Sequence, residues 1–405
     1  MVMSKLANEI AESPTLKLND RARVLRDQGE DLIHLGIGEP QNAAPIGAIL
    51  IASAALTAGS IKYTPTSGLP ALKQAICRYT LENYKRQVQP ANILVSNGAK
   101  QGLYNIFLSL INPGDEVIVL APYWVSYPEM IKMARGIPIM LQPDRTGFHF
   151  SPEAVIEAVS ERTRAIIINS PNNPSGVVYS PEFIRAMVEF GESTGIFIIM
   201  DDIYHKLVFD GSEAPGAYQF TDAEIEQTHV LIVNGVSKMY GMTGFRIGWV
   251  VAPSALVEVM TKFQAQTTSN PSMISQVAAE GALTGSQDTA EGLRLQMQNN
   301  RNVMLDELAG ITGVTVSKPS GTFYCLPDFS TYSLDSNALA EKLLNKARVV
   351  TVPGAAFGME GHLRLSFAGS LRDIREGVQR IRWAIDPEAP TRIRIGDKEM
   401  VRDWL

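Results

Sequence analysis

The stretch VLIVNGVSKMYGMTGFRIGWVV, residues 230–251, decides how the rest of the chain is read. It opens on the apolar run Val230–Val233 and closes on a second run, 247–251, each with the length and content of a short buried strand. Between them stand Lys238 and Arg246, with Gly235, Gly241, Gly244 and Gly248 interspersed. Small residues around two cations suggest backbone brought close to a bound anion.

Outward from this stretch the same alternation recurs. Residues 92–96 (NILVS), 116–120 (EVIVL), 164–168 (RAIII) and 196–200 (IFIIM) read as further buried strands. Helix-like stretches occupy 100–111, 125–134, 152–160, 181–190 and 254–264, and SPEAV and SPEFI each put serine at a cap and proline at the first helical position. Continuous apolar strands alternating with helices predict an α/β fold whose mostly parallel central sheet is covered by helices on both faces. After about residue 285 the pattern changes. A charged helix over 289–309 precedes VTVSKPSGTFYCLPDF and HLRLSFAGS, which alternate like half-exposed strands, and 371–385 is helical again. The expected organisation is a large domain over 45–285 and a smaller α+β domain made of 286–405 with the N-terminal segment 1–44. The closing DPEAPTRIRIGDKEMVRDWL has no pattern that places it.

Composition narrows the function. The 405 residues are 45% hydrophobic and 19% charged, with 36 basic against 42 acidic side chains and a net charge of −6. No run of like charge stands out, so neither nucleic acid nor an anionic membrane surface is an expected partner. The two cysteines, Cys77 and Cys325, have no ligand spacing, and the five histidines are scattered. No metal site is expected, and unpaired cysteines fit a cytoplasmic protein. The N-terminal MVMSKLANEIAESPTLKLNDRA mixes charges of both signs and lacks the apolar core of a signal peptide.

In a parallel α/β sheet, ligands bind outside the carboxyl ends of the strands. Here those ends carry a consistent set of groups. The first strand runs into Asn97–Gly102, the second into Trp124, the third into Asn172 and Asn173, the fourth into Asp201 and Tyr204, and the fifth into Lys238. Each alone has an ordinary explanation: a turn glycine, a core aromatic, turn chemistry before Pro174, a helix cap. Those explanations do not predict one shared rim. Together the groups make chemical sense. Backbone N–H groups of Gly98, Ala99 and Lys100 with Arg246 would hold a phosphate. Asp201 would keep a proton on a ring nitrogen, Tyr204 and Asn173 would bond a ring hydroxyl, Trp124 would stack on the ring, and Lys238 would offer its amine to an aldehyde. A phosphorylated, hydroxylated pyridine aldehyde is pyridoxal phosphate.

The motifs GIGEP (36–40), KYTPTSGLPALKQAI (62–76), NPGDEVIVLAPYWVSYPEM (112–130), NSPNNPSG (169–176), MDDIYHKL (200–207), SKMYGMTGFRIGW (237–249) and HLRLSF (362–367) span nearly the whole chain. In order and spacing the sequence resembles the class I/II aminotransferases of pyridoxal-phosphate fold type I, nearest to the bacterial aspartate aminotransferases and their broad-specificity relatives. The resemblance implies an enzyme that moves an amino group between an L-amino acid and a 2-oxo acid. Lys238 would carry the cofactor, with Asp201, Tyr204, Asn173, Trp124, Gly98, Ala99, Lys100 and Arg246 around it. Arg364 would clamp the substrate α-carboxylate, helped by the N–H of Gly38. Tyr63 would reach the phosphate of the neighbouring subunit in a homodimer with shared sites. The alternation of Leu363, Leu365 and Phe367 agrees that Arg364 faces away from them. Carbon–sulfur lyases and cyclopropane-forming synthases of the same fold use the same residues and are the alternative activities. Two departures stand out: Gly235 stands where many members carry a serine that contacts the phosphate, and GIGEPQNAAP differs from the commoner GEPDFDTP form.

Overall fold

The computed structural model describes residues 3–10 and 14–404. Residues 1, 2, 11–13 and 405, which belong to the two outer expected segments, lie outside the described residues. After a two-residue strand β1 (Ile33–His34), the main sheet forms from β2 (Ile93–Ser96), β3 (Glu116–Leu120), β4 (Ile137–Leu141), β5 (Thr163–Asn169), β6 (Phe197–Asp201), β7 (Val230–Gly235) and β8 (Gly248–Val251). Their order across the sheet is β2-β8-β7-β6-β5-β3-β4. β8 runs against both neighbours and the rest share one direction, including β2, which pairs with β8 alone. The stretch 247–251, expected among parallel strands, is thus the reversed one. The reversal puts the start of β8, rather than its end, at the rim where the other strands finish.

The unbroken apolar runs follow from helices on both faces. Ile118, Leu120, Ile166 and Ile168 point into one core with Leu72, Ile76, Ile184 and Val188. Val117, Val119, Ala165 and Ile167 point into another with Leu103, Ile106, Phe107 and Met260. A strand buried on both faces has no polar side to show in its sequence. Serine caps are as expected at Ser151 and Ser180, whose side chains accept from the N–H of Ala154 and Phe183.

Several elements have no counterpart in the sequence reading, four of them in the large expected domain. β4 is a partly exposed edge strand, where Pro138 is tolerated because an edge need not donate on both sides. The helices Ile46–Ala58, Pro70–Tyr84 and Met273–Thr284 were also missed. The first of them, IGAILIASAALTA, is apolar or small nearly throughout and so shows no amphipathic period.

A third core gathers Ile33 and Leu35 with Leu293, Met297, Met304, Phe323, Leu363, Leu365, Phe367, Ile374 and Val378. It also takes Ile203, Tyr204, Leu207 and Phe209, the segment that leaves β6. Short strands β9 (Tyr324–Cys325), β10 (Val349–Val350), β11 (Val352–Pro353) and β12 (Leu363–Ser366) lie here. The expectation of half-exposed strands is corrected: Tyr324, Cys325 and all four residues of β12 are buried. The alternation of HLRLS reflects chemistry, since Arg364 is only 3% exposed.

The unplaced C-terminal segment forms a hairpin of β13 (Arg392–Ile395) and β14 (Lys398–Val401). Beyond it Arg402 donates to the carbonyls of Trp383 and Pro387 at 3.0 Å. Trp404 packs edge-on against Trp383 at 5.2 Å. The hairpin thereby closes the end of helix Leu371–Ile385, whose last carbonyls lack helical partners. Among the described residues no helix is long and apolar enough to cross a membrane.

Candidate active site

The shared direction of β2, β3, β5, β6 and β7 brings their carboxyl ends to one rim, and a cavity of about 560 Å³ opens there. Ala99, Lys100, Trp124, Asn173, Asp201, Tyr204, Lys238, Arg246, Gly38 and Arg364 all line it. Gly98 abuts it through Arg246. Tyr63 is the exception: it is 92% exposed and does not reach the cavity of its own chain.

At one end, Ser96, Gly248 and Gly235 sit side by side across β2, β8 and β7. A Cβ on Gly248 would fall 2.3 Å from the backbone N of Ala99, and one on Gly98 would fall 2.5 Å from the Arg246 guanidinium. Only glycine lets the start of helix Ala99–Leu110 lie down on the sheet with Arg246 against it. At Gly235 a Cβ would meet the Ile247 carbonyl at 2.8 Å, so the serine expected at this position in many family members has no room here. Gly98 has φ +81°, which no larger residue adopts cheaply.

In the middle lies Lys238, whose ammonium donates to the Gly38 carbonyl at 2.6 Å. Burial, with smaller contributions from Arg364 and Arg246 set against Glu39, pushes its pKa down to about 8. Glu39 itself accepts from the Thr243 hydroxyl at 2.5 Å. Asp201 is 4% exposed, and burial raises its carboxyl to about 6. Tyr127 donates to one of its oxygens at 2.6 Å, whereas the other has only a 3.4 Å bond from the N–H of Ile203. A buried carboxylate so sparsely supported fits a cationic ligand group, which would offset the burial cost.

At the far end, Arg364 lies over the Tyr324 ring at 4.2 Å and donates to Asn173 at 3.0 Å and to the Gly36 carbonyl at 3.2 Å. Its buried Nε has no partner among the described residues, leaving a donor for a carboxylate. The expectation for Gly38 involved its N–H; its carbonyl is the group that meets Lys238. Tyr204 hydrogen-bonds Tyr324, and Trp124 stands edge-on to Tyr127 at 5.4 Å with the Lys100 ammonium 4.7 Å over its ring.

Several lining residues were not singled out in the sequence. Tyr127 lies one helical turn beyond Trp124, and Asn169 is the last residue of β5, directly opposite Asp201. Asn169 donates to the Asp201 carbonyl at 2.7 Å and accepts from the N–H of Asn173 at 2.7 Å. Its strand-end position is the signal that would have found it. His34, Glu39 and Tyr324 come from outside the sheet, where no strand-end rule applies.

The family model "Aminotransferase class I and II" matches residues 30–381. The chain belongs to that family. It is 37% identical to the aspartate aminotransferase of Geobacillus stearothermophilus, over 96% of this chain and all of the relative. It is 39% identical to a probable aspartate/prephenate aminotransferase of Aquifex aeolicus, over 95% of this chain and 98% of the relative. Among solved structures, the aspartate aminotransferase from Thermus thermophilus with maleate superposes with a TM-score of 0.89 at 35% identity, covering 95% of this chain and all of that one. The protein is a pyridoxal-phosphate-dependent aminotransferase with the fold type I architecture.

The residues present fit that cofactor: a glycine-lined helix start beside a guanidinium for the phosphate, an under-supported carboxylate for the ring nitrogen, and an amine of lowered pKa for the aldehyde. The glycine cradle yields a test. Gly248→Ala should leave the protein folded but displace the backbone at Ala99, weakening cofactor affinity by roughly tenfold or more, about 1.4 kcal/mol. Absorbance titration of the cofactor-free variant measures this, and an unchanged affinity would contradict the cradle.

Proposed function

We propose that this aminotransferase takes L-aspartate and passes its amino group to a 2-oxo acid, with Lys100 reading the second carboxylate of dicarboxylic substrates. The observation that carries the reading is a surplus cation. Four basic side chains other than histidine line the cavity: Lys100, Lys238, Arg246 and Arg364. Arg246 is assigned to the phosphate, Lys238 to the aldehyde and Arg364 to the α-carboxylate, which leaves Lys100 for a second anionic group. The relatives named aspartate aminotransferase, one of them with maleate, a four-carbon dicarboxylate, support the same choice.

Bound pyridoxal phosphate supplies an aldehyde and a ring that accepts the electron pair of the substrate Cα–H bond. The chain does the rest. Lys238, once its amine is free and neutral, would take the proton from Cα and deliver it to the cofactor's aldehyde carbon, with the reverse transfer for the incoming 2-oxo acid. A pKa of about 8 leaves enough neutral amine near physiological pH for that work. Asp201 would hold a proton on the ring nitrogen, Tyr204 and Asn173 would bond the ring hydroxyl, and Trp124 would cover the ring. Arg364 fixes the α-carboxylate with a planar guanidinium already backed by Tyr324 and Phe357. The large and small domains divide near 45 and 285 in this reading, with the cavity between them, and two unpaired cysteines support a cytoplasmic setting.

The same proposal includes a two-fold dimer. The helix Ile46–Ala58 leaves Ile46, Leu50 and Leu56 more than half exposed in the single chain. A helix apolar on all faces belongs in an interior or an interface. Tyr63 follows it, exposed, and is assigned to the phosphate of the partner subunit.

Lys100→Ala should lower kcat/KM for aspartate and other dicarboxylates by roughly 10- to 100-fold, the worth of one charge-assisted hydrogen bond. Alanine and aromatic amino acids should change by less than about threefold. An equal loss for all substrates would move Lys100 to the phosphate. For the dimer, mixing Lys238→Ala with Tyr63→Phe and allowing subunits to exchange should raise activity above the sum of the parents, because each hybrid holds one intact site. No gain after verified exchange would return Tyr63 to its own subunit or to none.

A further inference from the structure

Behind Lys238, away from the cavity, lies a buried polar chain that the reaction as described does not use. It starts at Asn234, whose side chain is fully buried. The Asn234 carbonyl oxygen accepts from the N–H of Gly235 at 2.7 Å, which fixes the orientation of the amide. Its Nδ2 then donates to the Tyr84 hydroxyl at 2.9 Å and faces His205 Nδ1 at 3.0 Å. Two amide hydrogens are available, so His205 Nδ1 is an acceptor and the imidazole proton sits on Nε2. The Asp202 carbonyl, 3.1 Å from Nδ1, is already served by the N–H of His205 at 3.0 Å. From Nε2 the proton points to the Tyr79 hydroxyl at 2.5 Å, and Tyr79 donates in turn to Met239 Sδ at 3.6 Å. In the other direction Tyr84 bonds the buried Asp202 carboxyl. The imidazole is stacked on Tyr84 at 5.4 Å and edge-on to Tyr79 at 5.6 Å.

The geometry of this chain encloses Lys238. Asn234 stands next to the end of β7 on one side of it and Met239 follows on the other, and both are tied to the same imidazole, Asn234 directly and Met239 through Tyr79. His205 itself belongs to the segment that carries Asp201 and Tyr204.

We infer that His205 is a positioning residue: its imidazole sets the registry between the segment holding Asp201 and Tyr204 and the segment holding Lys238. Its ring is hemmed in by Tyr79 and Tyr84, and burial lowers its pKa to about 3, so the direction of every bond in the chain stays the same through the physiological range. Replacing the ring nitrogens would leave one amide hydrogen of Asn234 without an acceptor and the Tyr79 hydroxyl without its donor in a closed space, and the segment between Asn234 and Met239 would relax to recover partners. Lys238 would then meet more water. The inference rests on the proposed role of Lys238 as the reactive amine.

The test uses His205→Phe, which keeps a ring between the tyrosines but offers no nitrogen, and Tyr79→Phe, which removes one hydroxyl with little risk to folding. Lysines of cofactor-free protein are acylated with limiting acetic anhydride across a pH series, and the Lys238 peptide is quantified by mass spectrometry. In the unaltered protein its reactivity should rise to half-maximum near pH 8, the value burial gives Lys238. In His205→Phe the curve should move up by about one unit, a tenfold loss of reactivity below the midpoint. In the loaded enzyme kcat should fall about tenfold with KM for the amino acid within about threefold, since Arg364 is untouched. Tyr79→Phe should shift both in the same direction by less, and His205→Gln, whose amide can donate toward Tyr79, should recover part of each. A lower melting temperature with the Lys238 curve and kcat unchanged in both His205→Phe and Tyr79→Phe would overturn the inference and leave the chain as packing. Failure of the underlying reading would show differently, as cofactor fixed to another lysine in the unaltered protein.

Discussion

The direction of one strand organises the site. Because β8 runs against β2 and β7, Gly248 and Arg246 arrive at the rim where the other strands end, and the helix that follows β2 can rest on Gly248. Parallel strands alone would carry the start of β8 to the opposite rim and separate the guanidinium from the backbone N–H groups at Ala99. Lys238 lies on the connection between β7 and β8, a loop bound to stay at that rim because both its ends are there. The proposed phosphate cradle and reactive amine therefore follow from the same reversal, and Gly235 and Gly248, at the facing ends of β7 and β8, are what permit the close approach to Ile247 and Ala99.

The second constraint is the sharing of a core. Ile203, Tyr204 and Leu207 leave β6 and enter the interior formed by helix Asp288–Leu308, β9 and β12. The segment that follows Asp201 is thus anchored in the core that also holds the strand of Arg364. The loop Gly36–Glu39 bridges the two further, through the Gly36 carbonyl to Arg364, the Gly38 carbonyl to Lys238 and Glu39 to Thr243. Arg364, Lys238 and the loop carrying Thr243 are consequently one connected set of contacts rather than independent parts, and displacement of any one is felt by the others.

How much of this was legible in the sequence depended on where each residue sits. Groups at strand ends could be read because a two-sided buried strand announces itself as an apolar run and its end is the next polar residue: Asp201, Asn173, Trp124 and Lys238 all line the cavity. Residues delivered by tertiary packing could not. Tyr324 and His34 lie on short strands of the third core, and Tyr127 on a helix, where no periodic signal separates a site tyrosine from a core one. Arg364 was correctly aimed by its alternating neighbours, yet the same alternation wrongly suggested solvent, since a polar residue facing a cleft and one facing water look alike. The helix Ile46–Ala58 escaped for the opposite reason, having too many apolar residues to show a face. Lys100 was read through its backbone, and only the placement of its ammonium over Trp124 brought its side chain into consideration.

The central claim is that Lys238, held at the rim by β7 and β8, is the amine that takes the cofactor. Reduction of the cofactor-loaded protein with borohydride followed by peptide mapping tests it most directly. The cofactor should be found covalently fixed to Lys238, in the peptide that contains SKMYGMTGFR, and to no other lysine. Attachment at Lys100, or at any lysine outside that peptide, would contradict the account.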